Sequence, residues 1–319
     1  MKNNIISVLV PVYNHQKYVE YCLESVKNQK NCNIELLICD DCSSDMSYEI
    51  VKNWVNKNSI SFQKVKLIRN EVNLGVAKTC NKMINMSSGK FVKIIASDDM
   101  LVPDSLEKYI MFMEIHKEFD FVFSNGSHVV ETAEYPLLKN QIKKNLYITN
   151  PLKGKKSLFD ELYKNDFIAA PTVLYRKSTF DKYGLFSEKY VFEDYEYYLR
   201  IVLKGAIGYF DCKTVFYRDS DNSLSRFQNN DIGRTKFREF VNDQKDLLED
   251  YKTYTCETMD NFWDNSLGYA MQIHDDEFIS YVLNKKQVKI PFKRQLLIFA
   301  YKLRFYDYIK KVFDKFNFK

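Results

Sequence analysis

Three acidic motifs have residue types and spacing that could do chemistry. Asp98 and Asp99 are adjacent at the end of the apolar run in KFVKIIASDD (90–99). Two neighbouring carboxylates are costly to hold together unless positive charge sits beside them. Mg²⁺ or Mn²⁺ meets that need, because either takes a few carboxylates together with phosphate oxygens. The same pair could instead charge a helix N-terminus. Asp41, in ELLICDDCSSD (35–45), stands at another strand-like end. An acid there accepts hydrogen bonds from a nucleobase edge or ribose hydroxyl, or satisfies its own loop. Glu193 and Asp194 open the segment FEDYEYYLR (192–200), which ends at Arg200. A carboxylate in that position can deprotonate an attacking hydroxyl, or simply give a helix an acidic first turn.

The elements that must position these acids alternate. ISVLVPVY (6–13), IELLICD (34–40), VKLIRN (65–70) and KFVKIIASDD (90–99) are short apolar runs that end in polar residues, and they predict strands. Between them lie helical patterns, over 17–29, from the Asp45 N-cap through Ile50, Trp54 and Val55, and through Lys82 to Met86. Strand, helix, strand, helix with short connections predicts an α/β fold, a mostly parallel sheet with helices on both faces. Ligands of such sheets bind at the carboxyl ends of the strands. Tyr13-Asn14, Asp40-Asp41, Asn73 with Gly75, and Asp98-Asp99 all fall there, so one cleft should contain them. Beyond Pro103 we expect a helix over 104–117, a strand over 119–130, an irregular Lys-rich excursion over 131–165, a strand over 167–176, a helix over 191–204 and then a strand leading to a polar loop. From about residue 231 the pattern is helical.

These motifs keep an order and spacing that resemble glycosyltransferase family 2. The matching stretches are SVLVPVYNHQKYVEYCLESVKNQ, ELLICDDCSSD, NLGVAKTCN, GKFVKIIASDDMLVPDSL, GLFSEKYVFEDYEYYLRI and YRDSDNSLS, over roughly residues 5–225. The resemblance implies a Rossmann-like GT-A fold over 1–230, with a nucleotide-binding half (1–103), an acceptor-binding half (104–230) and a C-terminal helical extension (231–319). It implies inverting transfer of a sugar from a nucleoside diphosphate, UDP above all, to a glycan or lipid-linked acceptor in bacterial capsule or lipopolysaccharide synthesis. Pro11 and Tyr13 would lie along the nucleobase, Asp41 would bond to it, and Asn73 would belong to the donor loop. Asp98 would lie nearer the ribose, Asp99 would ligate Mn²⁺ or Mg²⁺, and Asp194 would be the catalytic base. Glu193 accompanies it, and Arg200 would orient the acidic turn. Arg218 and Arg226 flank the loop DSDNSLS, which could close over the diphosphate. Cys42 and Lys78 depart from the family pattern, at positions that bear on the donor rather than on the reaction.

Composition narrows the alternatives. The chain has 319 residues, 45% hydrophobic and 28% charged, as expected of a globular protein. A net charge of +5 does not point to nucleic acid. Residues 289–319 carry nine Lys or Arg against Asp307 and Asp314. Within 290–319 the apolar residues fall at helical spacing, which suits either a helix on an anionic bilayer or one docked with a basic solvated face. Seven cysteines suit reduced thiols, and the acids between Cys39 and Cys42 would raise thiol pKa, against a redox motif. MKNNIISVLVPVY lacks signal-peptide features and no run suits a membrane span, so the expectation is a cytoplasmic protein, at most peripheral at the inner membrane face. A homo-oligomer is compatible with this. A nucleotidyltransferase would carry a Gly-rich loop after the first strand, which VPVYNHQKYVE lacks. The presence together of Asp41, Asp98, Asp99 and Asp194 argues against an inactive binding protein. Absence of Q-x-x-R-W argues against a processive synthase.

Overall fold

The structure is a computed structural model and describes residues 5–147, 150–152, 158–218, 231–251, 259–284 and 291–302. The chain forms two compact units, Met1–Ser220 and Asp221–Lys319. In chain order the first contains β1 (Ile5–Val12), α1 (Val19–Lys27), β2 (Asn33–Asp40), α2 (Ser47–Asn58), β3 (Lys64–Arg69), α3 (Val76–Met86), β4 (Phe91–Ile94), β5 (Met100–Leu101), α4 (Ser105–Ile115), β6 (Phe121–Val129), β7 (Ile142–Asn145), α5 (Leu158–Asn165), β8 (Val173–Arg176), α6 (Lys177–Tyr183), α7 (Glu193–Val202) and β9 (Ile207–Arg218). The second contains α8 (Asp231–Tyr251), α9 (Met259–Gln272), α10 (Asp276–Leu283) and α11 (Phe292–Lys302).

Among the described residues the strands join in one sheet of order β3-β2-β1-β4-β8-β6-β9-β5, with β7 on β6. The first four are mutually parallel, whereas β8 runs antiparallel to both β4 and β6, and β9 parallel to β6. β1 is central, so both of its faces are covered and it reads as a continuous run of branched apolar residues. Val8, Val10 and Val12 pack with Leu36 and Ile38 of β2 and with Val19, Leu23 and Val26 of α1, all almost wholly buried. Trp54 of α2 joins this core and donates its indole N–H to Glu24 Oε1 at 2.7 Å, so its one polar atom is satisfied.

The order 3-2-1-4 places the connections from β1 and β4 on opposite sides of their shared edge. A crevice outside the carboxyl ends of strands opens at such a switch point. The chain after β1 begins Tyr13-Asn14, and the chain after β4 reaches Asp98-Asp99 within a few residues.

Three local expectations are refined. The segment 131–165 is not wholly irregular: it includes β7 and α5, whose short amphipathic pattern is hidden among lysines. The strand expected over 167–176 is confined to Val173–Arg176, because Pro171 has no N–H to extend a ladder. Asp45 does serve α2, accepting from the Ser47 N–H at 2.9 Å, although it precedes the cap position occupied by Met46.

In the second unit, Phe237, Leu247, Trp263, Leu267, Phe278 and Val282 are buried. Asp275 caps α10 by accepting from the Phe278 N–H at 3.1 Å and receives Arg238 Nε at 2.8 Å. α11 buries Leu297, Ile298 and Ala300 while Leu296 and Phe299 are exposed. Residues 303–319, with most of the basic C-terminal pattern, lie outside the described residues. No helix among the described residues is long and apolar enough to cross a membrane.

Candidate active site

The loop after β1 is laced to the loop after β2. The Asn14 N–H donates to Ser43 Oγ at 3.0 Å, Asn14 Oδ1 accepts the Ser44 N–H at 2.9 Å, and the His15 N–H donates to Ser47 Oγ at 2.8 Å. Asn14 takes a left-handed conformation, φ 54°, which asparagine tolerates better than most residues. Pro11 lies within β1, and Tyr13, half exposed, follows the strand.

Asp40 and Asp41 divide their work. Asp40 is buried and receives Arg69 Nε at 3.3 Å and the Ser43 N–H at 3.1 Å. Asp41 organises the loop after β3: its Oδ1 accepts from Asn70 Nδ2 and the Leu74 N–H, both at 2.8 Å, and its Oδ2 accepts the Gly75 N–H at 2.9 Å. Asn73 Oδ1 also accepts the Gly75 N–H, at 3.0 Å. Gly75 adopts φ 83°, open to glycine at no steric cost, and starts α3 there. Three bonds to one carboxylate make Asp41→Ala costly: we expect a loss of about 3 kcal/mol, since a charged acceptor contributes more than a neutral one. Denaturant unfolding of the variant measures it, and a loss below about 1 kcal/mol would contradict the assignment.

α3 carries this order across to the other acid. Asn81 Nδ2 donates to the Phe186 carbonyl and Asn81 Oδ1 accepts the Phe186 N–H, each at 3.0 Å, which fixes the segment leading to α7. Lys78 approaches Glu188 at 3.9 Å, an exposed pair of little energetic consequence. Glu193 and Asp194 begin α7, and Asp194 Oδ1 accepts the Tyr195 N–H at 2.9 Å. Tyr195 in turn donates its hydroxyl to the Tyr163 carbonyl at 2.6 Å, which holds α5 against α7. Asp166 follows α5 directly and was not singled out by its sequence context. As a residue it is open to solvent, but its carboxyl is crowded enough that desolvation and the charge of Asp194 push its pKa well up. Desolvation raises Asp194 itself to about 6. Arg200 grips Glu196 with Nε at 3.0 Å and the carbonyls of Tyr183 and Leu185 with Nη1 at 2.8 and 2.9 Å, so it braces the acidic turn.

Asp98 and Asp99 follow β4. Asp98 is mostly buried, its side chain 16% exposed, with Oδ1 4.0 Å from His15 Nδ1; that same nitrogen lies 2.7 Å from Ser97 Oγ. Asp99 is buried and its Oδ1 accepts the Arg218 N–H at 2.8 Å. Burial, and then the charge of Asp98, push the Asp99 carboxyl well above the usual carboxylate range. Such a pair fits a divalent cation. A cation would hold both acids ionised, and a diphosphate and water would complete the oxygen shell. Among the described residues no third His, Cys, Asp or Glu gathers with them.

Two further cations flank the pair. Lys93, fully buried in β4, donates to the Val173 carbonyl at 3.0 Å and to the Pro171 carbonyl. Its pKa falls to about 7 through burial. A lysine interrupting the apolar run FVKII was the one sequence signal for it. Arg218, expected to flank an external loop, is instead 2% exposed. Arg226 and the loop after Arg218 lie outside the described residues. Cys39 is a free thiol raised to about 11, with burial the first cause, and Cys42 is also free.

A parallel half-sheet with its crevice at the β1/β4 switch point, and acids at the strand ends, defines an α/β protein of GT-A architecture. Residues 7–184 match the family described as glycosyl transferase family 2. The chain belongs to that family. It is 27% identical over 255 residues to the UDP-Glc:alpha-D-GlcNAc-diphosphoundecaprenol beta-1,3-glucosyltransferase WfgD of Escherichia coli, over 79% of this chain and 88% of WfgD. Its fold resembles S. aureus TarS 1–349 in complex with UDP-GlcNAc, with a TM-score of 0.53 and 18% identity, over 98% of this chain and 91% of that one. It also resembles the Pyrobaculum calidifontis mannosyltransferase PcManGT in complex with GDP-Man and Mn²⁺, with a TM-score of 0.56 and 12% identity, over 98% and 88% of the two chains.

Proposed function

We propose that this glycosyltransferase moves a sugar from a UDP-sugar to a hydroxyl of a glycan or lipid-linked acceptor, with inversion, in bacterial surface polysaccharide synthesis. The observation that carries the reading is the pair Asp98-Asp99 at the β1/β4 switch point, with Asp99 anchored by Arg218. WfgD, whose name specifies a UDP-glucose donor and a diphosphoundecaprenol-linked acceptor, and TarS, bound to UDP-GlcNAc, support the donor class. In such a setting the basic segment 290–319 would meet the anionic inner face of the membrane.

Mn²⁺ or Mg²⁺, held by Asp99 and Asp98, would neutralise the charge that grows on the departing nucleoside diphosphate. Asp41 presents the loop 73–75 to the donor through the bonds already described. Tyr13, which follows β1 with its ring half exposed, would offer that ring to the nucleobase. Asp194 takes the proton of the acceptor hydroxyl as the oxygen bonds to the anomeric carbon and the bond from that carbon to the diphosphate oxygen breaks. One displacement inverts the centre, so no covalent enzyme intermediate is involved.

A panel of nucleotide sugars tests the reading by hydrolysis and by transfer to lipid-diphosphate-linked sugars. UDP-sugars are expected to be turned over, and activity confined to GDP- or CMP-sugars would overturn the donor assignment. The pH profile tests the base. Asp194 acts ionised, and its pKa is raised to about 6, so kcat should fall as pH drops through that value, about tenfold per unit below it. Burial and the charge of Asp194 raise the Asp166 carboxyl. Asp166→Asn, which keeps its size and removes only its ionisation, should leave an acid limb in place with turnover retained. Loss of turnover in Asp166→Asn, with Asp194→Asn retaining it, would reassign the base to Asp166.

A further inference from the structure

Arg218 ends β9, and a guanidinium as buried as this one is tolerated only where hydrogen bonds replace its water. Its bonds converge on one place. Its backbone N–H donates to Asp99 Oδ1 at 2.8 Å and its Nε donates to the Asp98 carbonyl at 2.7 Å. Its Nη1 donates to the Glu131 carbonyl and, at 3.4 Å, to the Val130 carbonyl just beyond β6. The guanidinium lies 4.6 Å from the centroid of the Tyr18 ring, and the Tyr18 hydroxyl donates to Glu131 Oε1 at 2.8 Å. Among the described residues Nη2 is buried without a partner. One side chain therefore joins the chain after β4, the turn after β6 and the loop before α1.

We propose that Arg218 is the positioning residue of the cation–diphosphate site, setting the relative placement of Asp98 and Asp99 before the donor arrives. The inference rests on the function proposed above. Arg176 provides the contrast. Its fork bonds the carbonyls of Phe119 at 2.8 Å, Met113 at 2.6 Å and His116 at 2.8 Å, with no acid of the site among them. Arg176 braces the fold, whereas the Arg218 guanidinium braces the backbone that presents Asp98 and Asp99 by holding the Asp98 carbonyl. The bond from its backbone N–H to Asp99 is kept by any substitution there other than proline. Lysine cannot replace Arg218, since an ammonium on a flexible stem lacks the planar fork that reaches the carbonyls of Asp98, Val130 and Glu131 in fixed directions. Groups that orient metal ligands from behind change metal affinity by about 10- to 100-fold when removed.

Calorimetric titration of Mn²⁺ into the full chain in the presence of UDP tests this, alongside thermal unfolding and donor KM and kcat. Arg218→Lys and Arg218→Met are expected to bind Mn²⁺ about 10- to 100-fold more weakly, with KM rising more than kcat falls. Arg176→Lys is expected to lower the unfolding midpoint while Mn²⁺ affinity stays at the wild-type value. Tyr18→Phe, which loses only the bond to Glu131, should show a smaller loss of affinity in the same direction. Wild-type affinity in both Arg218 variants overturns the inference. If neither folds, Tyr18→Phe decides it, and unchanged affinity there overturns it. A wild-type protein that binds neither Mn²⁺ nor UDP overturns the proposed function and this inference together, whereas binding that survives the substitutions overturns the inference alone.

Discussion

Asp194→Asn should lower kcat roughly a hundred- to ten-thousandfold while UDP binds with unchanged affinity. Asparagine matches aspartate in size, and its amide oxygen can still accept the Tyr195 N–H that now bonds Asp194 at 2.9 Å. The start of α7 is held independently, by Tyr195 on Tyr163 and by Arg200 on Glu196. Geometry should therefore survive and only the capacity to take a proton is removed. In the proposed function donor binding relies on other elements, the loops after β1, β2 and β3 and the acids after β4, so its separation from turnover would be the signature of a base. Single-turnover kinetics with calorimetry of UDP binding measure both quantities. Turnover within about tenfold of wild type would remove Asp194 from the role, since general-base catalysis is worth more than that.

Removal of divalent metal is the second large effect. A chelator should reduce turnover by at least about a hundredfold, because electrostatic stabilisation of a leaving group is worth several kcal/mol, and Mn²⁺ or Mg²⁺ should restore it. Asp99→Asn should reproduce the loss without rescue by either metal. Its effect on stability should have the opposite sign. The Asp99 carboxyl is raised above its unfolded value by burial and by Asp98, so its ionisation disfavours the folded state increasingly as pH rises above about 4. At pH 7 the metal-free variant should unfold no lower than metal-free wild type, the usual trade of stability for function at a site. Full activity in chelator, or a metal-free variant several degrees less stable than wild type, would count against the cation role.

Much of the fold was legible because its signals are local. β1 through β4 and α1 through α4 follow from apolar period and from Pro, Asn and Gly at the breaks. Each lies within a few residues of its expected span except β4, which ends at Ile94 rather than running on to Asp99 as expected. The Asp41, Asp98 and Asp194 motifs were legible as acids at strand or helix ends, since those ends are marked in the chain itself. α5 was not, because a helix of eight residues in a Lys-rich stretch leaves little period to detect. The role of Arg218 was not legible for a different reason. The bond from its guanidinium to the Asp98 carbonyl spans 120 residues, and nothing local distinguishes that arginine from one on a surface loop.

The sequence by itself determined the alternation of strands and helices and which acids stand at their ends, because periodicity and capping are properties of neighbouring residues. Only the tertiary structure decided that β1 lies between β2 and β4, opening the crevice at their carboxyl ends, and that Asp41 is occupied by the loop after β3. It alone set Asp166 beside Asp194, and Lys93 and Arg218 among the buried groups around Asp99. Those outcomes depend on strand order and on contacts between distant segments, whose energies are settled only when the whole sheet has closed.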